Sequence, residues 1–340
     1  MTVQSQHNSA AKSNFRHLVH DMVWYSAGIA ATSRFLAVYA IRAGASPIDL
    51  GWISSLPALI VLITASFGGW WSRRYPNAAR SIYWPALGQR FAFLLPALTP
   101  LLPLRWQPLW LILSISIPAI PQGVAAVPFM VMMREAIDPA RMPRLLALRQ
   151  IAANGCVAIA AVIFGFWLET APYPLNYVVM FLVSFVLSLI SLYYCTSIKE
   201  LTPTGEAAFN AAPVVKQTQA NPWRERGFQK IAFVTVTIHV AFFVIVPLVP
   251  LLLVSRLGAD EGYMAIYALV ELTAGTVGSI LGPYVERKIG ARPMIALCIA
   301  FTALNGIIIA LAPNLTVALL APIFSGAFWT MGAGVSLYNF

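Results

Sequence analysis

Long apolar runs alternate with short polar segments along the whole chain. A helix rises about 1.5 Å per residue and the hydrocarbon layer of a bilayer is about 30 Å thick, so about 20 predominantly apolar residues suffice to cross it. Ten stretches meet that requirement: Met22 to Arg42, Ile48 to Trp71, Ser81 to Pro103, Gln107 to Met133, Leu145 to Leu168, Pro174 to Ile198, Ile231 to Val254, Gly262 to Pro283, Pro293 to Ala312, and Leu315 to Ser336. The run from Pro293 to Phe340 contains no Asp, Glu, Lys, Arg or His, and Ala312-Pro313-Asn314 supplies the turn that divides it into two passes. The pattern predicts an all-α integral membrane protein with four parts. Residues 1–21 form a polar N-terminal segment, 22–198 a six-helix bundle, 199–230 a hydrophilic central loop and 231–340 a bundle of four helices.

Composition removes the main alternative. Hydrophobic residues make up 59% of the 340 and charged ones 10%, whereas an average soluble chain carries roughly 25% charged residues. A soluble globule of this composition would expose large apolar patches, which lipid covers without cost. No short apolar core with a small-residue cleavage site precedes the first span, so a cleaved signal peptide is not expected. Cys156, Cys195 and Cys298 lie in apolar spans, where a thiol serves as a small hydrophobe; neither a disulfide nor a metal site is expected. His17, His20 and Asp21 form a weak metal-ligand pattern on the polar terminal segment.

The net charge of +10 admits a nucleic-acid partner until its distribution is considered. With alternating passes, one face receives Lys12, Arg16, Arg73, Arg74, Arg80, Arg134, Arg141, Arg144, Arg149, Lys199, Lys216, Arg224, Arg226, Lys230, Arg287, Lys288 and Arg292. The other receives Arg42, Arg105 and Arg256. That asymmetry puts the N-terminus and the central loop in the cytoplasm of a multi-pass protein of the plasma (inner) membrane. It also leaves no contiguous basic groove, so no nucleic-acid partner is expected.

An internal repeat organises the spans. Displaced by 214 positions, Arg42, Gly44 and Ala45 fall on Arg256, Gly258 and Ala259, and Gly68, Arg73 and Arg74 fall on Gly282, Arg287 and Lys288. The second copy of the loop, Gly282-Pro283-Tyr284-Val285-Glu286-Arg287-Lys288-Ile289-Gly290-Ala291-Arg292, resembles the signature between the second and third helices in each half of major facilitator superfamily transporters. The first copy, Gly68-Gly69-Trp70-Trp71-Ser72-Arg73-Arg74-Tyr75-Pro76, has Ser72 in place of the acid and Pro76 where a Gly stands. Gln122-Gly123-Val124-Ala125-Ala126 resembles the family's Gln-Gly-x-Gly-Ala stretch, but Ala119 stands where many proton antiporters carry Arg. The fifth span, around Asn154-Gly155-Cys156 and Ala161 to Gly165, lacks the antiporter Gly-Pro core.

The resemblance implies two pseudo-symmetric halves, six plus four helices being present here, with a central path lined by the first, fourth, seventh and tenth helices. It also implies that Gly68, Arg73, Arg74, Gly282, Glu286, Arg287, Gly290 and Arg292 belong to cytoplasmic gate loops. A repeat of six helices predicts two further spans, so the chain reads as C-terminally truncated.

Ionisable side chains inside spans are costly and therefore candidates for function. They are Arg34, Arg90, His239 and Glu271, joined by Gln122 on a helix broken by Pro118, Pro121 and Pro128. Counted from the helix ends, Arg34 and Glu271 lie at similar depths of about 12 to 13 Å, which allows a buried pair. Arg90 and His239 lie about 12 to 14 Å from the opposite edge and could together hold an anionic group. Glu271 reads either as a coupling or substrate-binding carboxylate, because a carboxylate withdrawn from water holds a proton more readily, or as half of a structural ion pair. Gly275, Gly278 and Gly282 have the small-residue spacing of close helix packing.

Together these features predict a secondary active transporter that moves a small solute by alternating access, with efflux of an amphiphilic or drug-like compound as the favoured direction. The rivals are a polytopic membrane transferase and a transport-inactive scaffold or sensor. The expected partners are the small-molecule substrate, membrane lipid and a coupling proton or other ion; the expected unit is a monomer. No catalytic residue, metal or cofactor is expected, and no Gly-x4-Gly-Lys-Ser/Thr motif for nucleotide-driven pumping is present.

Overall fold

The computed structural model describes residues 3–138, 141–199, 229, 233, 245 and 248–338. The described residues are helical and contain no strand. The first pass is one rod made of α1 (Val3–Ala30), a π-helical segment (Ala31–Phe35) and α2 (Leu36–Arg42). It ends at Gly44, whose φ of 86° lies in the left-handed region that a side chain disfavours. Next, α3 (Pro47–Ala65) opens on a capping box. The Ser46 hydroxyl accepts from the Asp49 N–H, and the Asp49 carboxylate accepts from the Ser46 N–H. A short α4 (Gly68–Ser72) precedes α5 (Ala78–Leu94), which Pro96 and Pro100 convert into a 3-10 segment, Leu95–Leu101. The first half is completed by α6 (Gln107–Ala136), α7 (Met142–Thr170) and α8 (Leu175–Thr196).

The second half contributes α9 (Leu248–Leu257), α10 (Glu261–Ile289), α11 (Ala291–Leu311), the single turn α12 (Leu315–Ala318) and α13 (Ala321–Tyr338). Its opening repeats the first half at the expected offset. Gly258 ends α9 with φ 69°, and Asp260, equivalent to Ser46, caps α10 by accepting from the Tyr263 N–H. The central loop, most of the seventh span and His239 lie outside the described residues.

Among the described residues six helices are long and apolar enough to cross a membrane: Pro47–Ala65, Leu104–Ala136, Arg144–Thr170, Leu175–Thr196, Glu261–Gly282 and Pro293–Leu311. Three more expected passes depart from regular α-helix. The first is polar along its early turns and passes through the π segment, the third shortens into 3-10 geometry, and the last is split between α12 and α13. The polar N-terminal segment also differs from a free tail, because α1 runs through it from Val3. Asn14 is fully buried there. Its amide donates to the Ala136 carbonyl at 3.1 Å, and its oxygen accepts from the Lys199 N–H at 2.9 Å.

Within the first half, α1 packs on α7 and α8, and α6 packs on α3 and α5; within the second, α13 packs on α10 and α11. The halves meet mainly where α7 packs on α10. One hydrophobic core joins them at the end that carries Arg42 and Gly258, where Phe35, Tyr39, Phe164 and Tyr177 pack with Leu253, Met264 and Tyr267. Towards the opposite end the clusters belong to single halves: Leu18, Ile82, Met132 and Leu192 in one, Met294, Cys298 and Met331 in the other. Among the described residues the two halves are thus fastened at one end.

Candidate functional site

The π segment places Arg34. A π turn admits one more residue than an α turn and re-aims the side chains it carries, which is why such turns recur at functional sites. From it the Arg34 guanidinium reaches across the interface between halves and pairs with the Glu271 carboxylate of α10. Their side chains are 22% and 20% exposed, so the pair is shielded without being sealed. The other Glu271 oxygen accepts from the Ser325 hydroxyl of α13 at 3.2 Å. Arg34 Nε is buried without a partner among the described residues, which leaves one donor of the guanidinium unused.

Close packing of α10 and α13 makes the Ser325 contact possible. A Cβ at Gly326 would lie 1.9 Å from the Glu271 carbonyl oxygen, and one at Gly278 would lie 2.2 Å from that of Ala327. The backbones touch at both points, as small residues at membrane helix interfaces allow.

A second set of contacts closes the fastened end. Glu261 is 2% exposed and binds two residues of the first half: Arg42 at 2.5 Å, and the Tyr177 hydroxyl, which donates at 2.7 Å. Tyr177 stacks on Tyr39 with ring centroids 4.3 Å apart. Nearby, the Gly262 N–H donates to Glu169 at 3.0 Å, again from one half to the other. In the adjoining loop, burial pushes the Tyr173 phenol above its ordinary 10.0 against the opposing charge of Arg42, and its ring meets Tyr39 and Tyr177 edge-on. Sequence reasoning missed Glu261 and Tyr177. The signal for Glu261 was its place in the repeat, beside Asp260 at the helix start that corresponds to Ser46.

Arg90 serves a different network. It donates to the Ser188 carbonyl at 3.3 Å, the Ala86 carbonyl at 2.9 Å and the Ser191 hydroxyl at 3.0 Å. Asp21 lies 3.9 Å from Arg90, pairs with Arg149 at 3.1 Å and accepts from Ser191 at 2.7 Å. All these residues belong to the first half. Asp21 therefore faces into the bundle, whereas His17 and His20 meet the ring of Tyr194. Among the described residues no group of three His, Cys, Asp or Glu could hold a metal.

The remaining candidates are dispersed. Gln122 is exposed, whereas its neighbour Gly123 is buried and packed against Thr64 and Val61. Gly68 is buried against Val124 and Val127, Arg73 is exposed, and Arg74 lies 3.7 Å over the Trp70 ring. Gly282 packs on Met331, and Gly290 ends α10 at φ 84° with its N–H donating to the Glu286 carbonyl at 2.8 Å. Arg287 is exposed, and the Arg292 side chain lies outside the described residues.

A polytopic bundle of two helical halves, cross-braced by charge at one end and packed separately at the other, defines a class of protein: a membrane transporter by its build. A sequence profile of the Major Facilitator Superfamily matches residues 18–340, and the chain belongs to that superfamily. Curated protein sequences give no significant match. Among solved structures it is similar to a D-xylose-proton symporter (18% identity, 95% of this chain and 80% of that one, TM-score 0.70). It is also similar to a point mutant of the nucleoside transporter NupG (10% identity, 96% and 81%, TM-score 0.67). A third similarity is to a bacterial homologue of the iron transporter ferroportin in an inward-facing state (12% identity, 96% and 83%, TM-score 0.66). At these identities the likeness is one of fold.

Proposed function

We propose that the protein is a secondary active transporter in which residues 22–198 and 231–340 rock about a central solute site, and that Glu271 is the carboxylate that couples an ion or binds the solute. The observation that carries this reading is the Arg34–Glu271 pair, which joins the halves within their spans from a π segment. An intramembrane charge pair is expensive to maintain, and one that crosses the moving interface must break and re-form as access alternates. In the paired state Arg34 neutralises Glu271. Once the halves part, water reaches the carboxylate, which is free to take a proton or a cationic group, while Arg34 presents its donors to an oxygen of the solute.

The asymmetry of basic residues supports an orientation with the Glu261 contacts outward, in which those contacts close the outer side as an inward-facing state requires. The scarcity of charge in the spans supports an amphiphilic solute, and export is the direction we propose for it. The test is transport by reconstituted protein over a compound panel, with and without a proton gradient, for the wild type and Glu271→Gln. Loss of gradient-driven transport and of its pH dependence in the variant is expected; an unchanged rate and pH profile would remove Glu271 from the mechanism.

A further inference from the structure

A cavity unconnected with the interface between halves lies at the surface end of α1. It has a volume of about 470 Å³ and opens beside the end of α8. Six of its lining residues, Ser9, Lys12, Ser13, Arg16, His17 and His20, recur at helical spacing and so form one stripe along α1. The stripe carries two fixed positive charges, two imidazoles and two hydroxyls, and among the described residues no carboxylate lines the cavity. The nearest acid in sequence, Asp21, turns away into the bundle to meet Arg149. The far wall is Tyr194, with the His20 ring stacked 5.2 Å from it and the His17 ring tilted at 5.9 Å. His17 Nδ1 is buried and has no hydrogen-bond partner among the described residues.

A concave site with an excess of cationic donors, hydroxyls and an unused buried ring nitrogen suits one ligand chemistry, a phosphate group. The stripe ends where the apolar part of the first span begins at Met22, at the depth of the interfacial Tyr193 and Tyr194, where lipid headgroups lie. We propose that this cavity binds a phosphate group, with Lys12 and Arg16 supplying charge, Ser13 and His17 supplying hydrogen bonds, and the phosphodiester of an anionic lipid as its source. Two juxtaposed basic side chains at such a surface contribute about 1 kcal/mol each, so removing both lowers the affinity about 30-fold.

The test uses the full chain in nanodiscs of phosphatidylcholine with graded phosphatidylglycerol, bound lipid being counted by native mass spectrometry after extraction. A parallel arm adds inorganic phosphate to protein in neutral detergent and follows the thermal midpoint. Lys12→Gln/Arg16→Gln alters exposed side chains and should keep the fold; Arg105→Gln, exposed at the opposite end, controls for loss of charge alone. Retention of phosphatidylglycerol that falls about 30-fold in the double variant and not in the control supports the lipid source. Protection by inorganic phosphate that the double variant loses, without selective lipid retention, would transfer the site to a free phosphate ligand and overturn the lipid assignment. Equal lipid retention and equal phosphate protection in wild type and double variant would overturn the site itself.

Discussion

Glu261→Ala should release the fastened end. The Tyr177–Glu261 hydrogen bond is buried and charge-assisted, and such a bond contributes about 2 kcal/mol. The Arg42 side chain is 42% exposed, so its pairing with Glu261 is discounted for solvent to about 0.5 kcal/mol. Both contacts cross from one half to the other and exist while that end is closed. Their loss therefore shifts the closed-to-open ratio by about 2.5 kcal/mol, or about 60-fold. Leu104→Cys and Leu311→Cys, at positions 76% and 75% exposed on opposite halves at that end, can carry spin labels once Cys156, Cys195 and Cys298 are replaced. The distance distribution between labels should gain a long component in Glu261→Ala. Asp260→Ala, which removes the cap on the Tyr263 N–H and about 1 kcal/mol of fold stability, should lower the melting temperature without that component. An unchanged distribution in Glu261→Ala, or the same change in both variants, would refute the closure argument.

Two further outcomes follow from packing and charge. Gly326→Ala sets a methyl group 1.9 Å from the Glu271 carbonyl, so α13 must move; a loss of about 3 kcal/mol is expected as a lowered thermal midpoint, and retention of the wild-type midpoint would contradict the close approach. Asp21→Asn removes the acid that Arg90 and Arg149, both largely buried, share. It should cost about 3 kcal/mol of stability, seen as poor yield of folded protein, which Asp21→Glu should partly restore.

Much of the fold was legible because lipid imposes one rule on every pass: backbone groups must be satisfied within the helix, so apolar length announces a span. The repeat was equally visible, since Gly44 and Gly258 hold left-handed turns and Ser46 and Asp260 cap the following helices at the same offset. The candidate site was legible in part. Depth counted from helix ends brought Arg34 and Glu271 to one level, and the structure pairs them. Ala31-Thr32-Ser33-Arg34-Phe35 contains neither Gly nor Pro, so nothing local disclosed the π turn; it is set by tertiary packing. The place of Asp21 inside the bundle was not legible for a related reason. Its neighbours are polar, and its placement inside the bundle depends on Arg90 and Arg149, which lie on α5 and α7.

The two sets of intramembrane charge differ in what motion does to them. Asp21, Arg90, Arg149 and Ser191 all belong to one half, so they can stay bonded through every step of a rigid-body cycle. In the proposed cycle Arg34 and Glu271, which lie on opposite halves, cannot. Desolvation nearly offsets the attraction in such a pair, so its net contribution to holding that end shut is small, which suits the opening that the proposed cycle requires. Replacing both by apolar groups removes the penalty and leaves packing that has no charge to hydrate when the halves part. Arg34→Met/Glu271→Met should therefore melt at or above the wild-type temperature and fail to transport, with its spin-label distances narrowed to the closed population. Either single substitution leaves a charge unpaired and should melt lower than the double. A double variant that transports at the wild-type rate would show the pair to be structural and return the search for the coupling group to the other side chains of the central path.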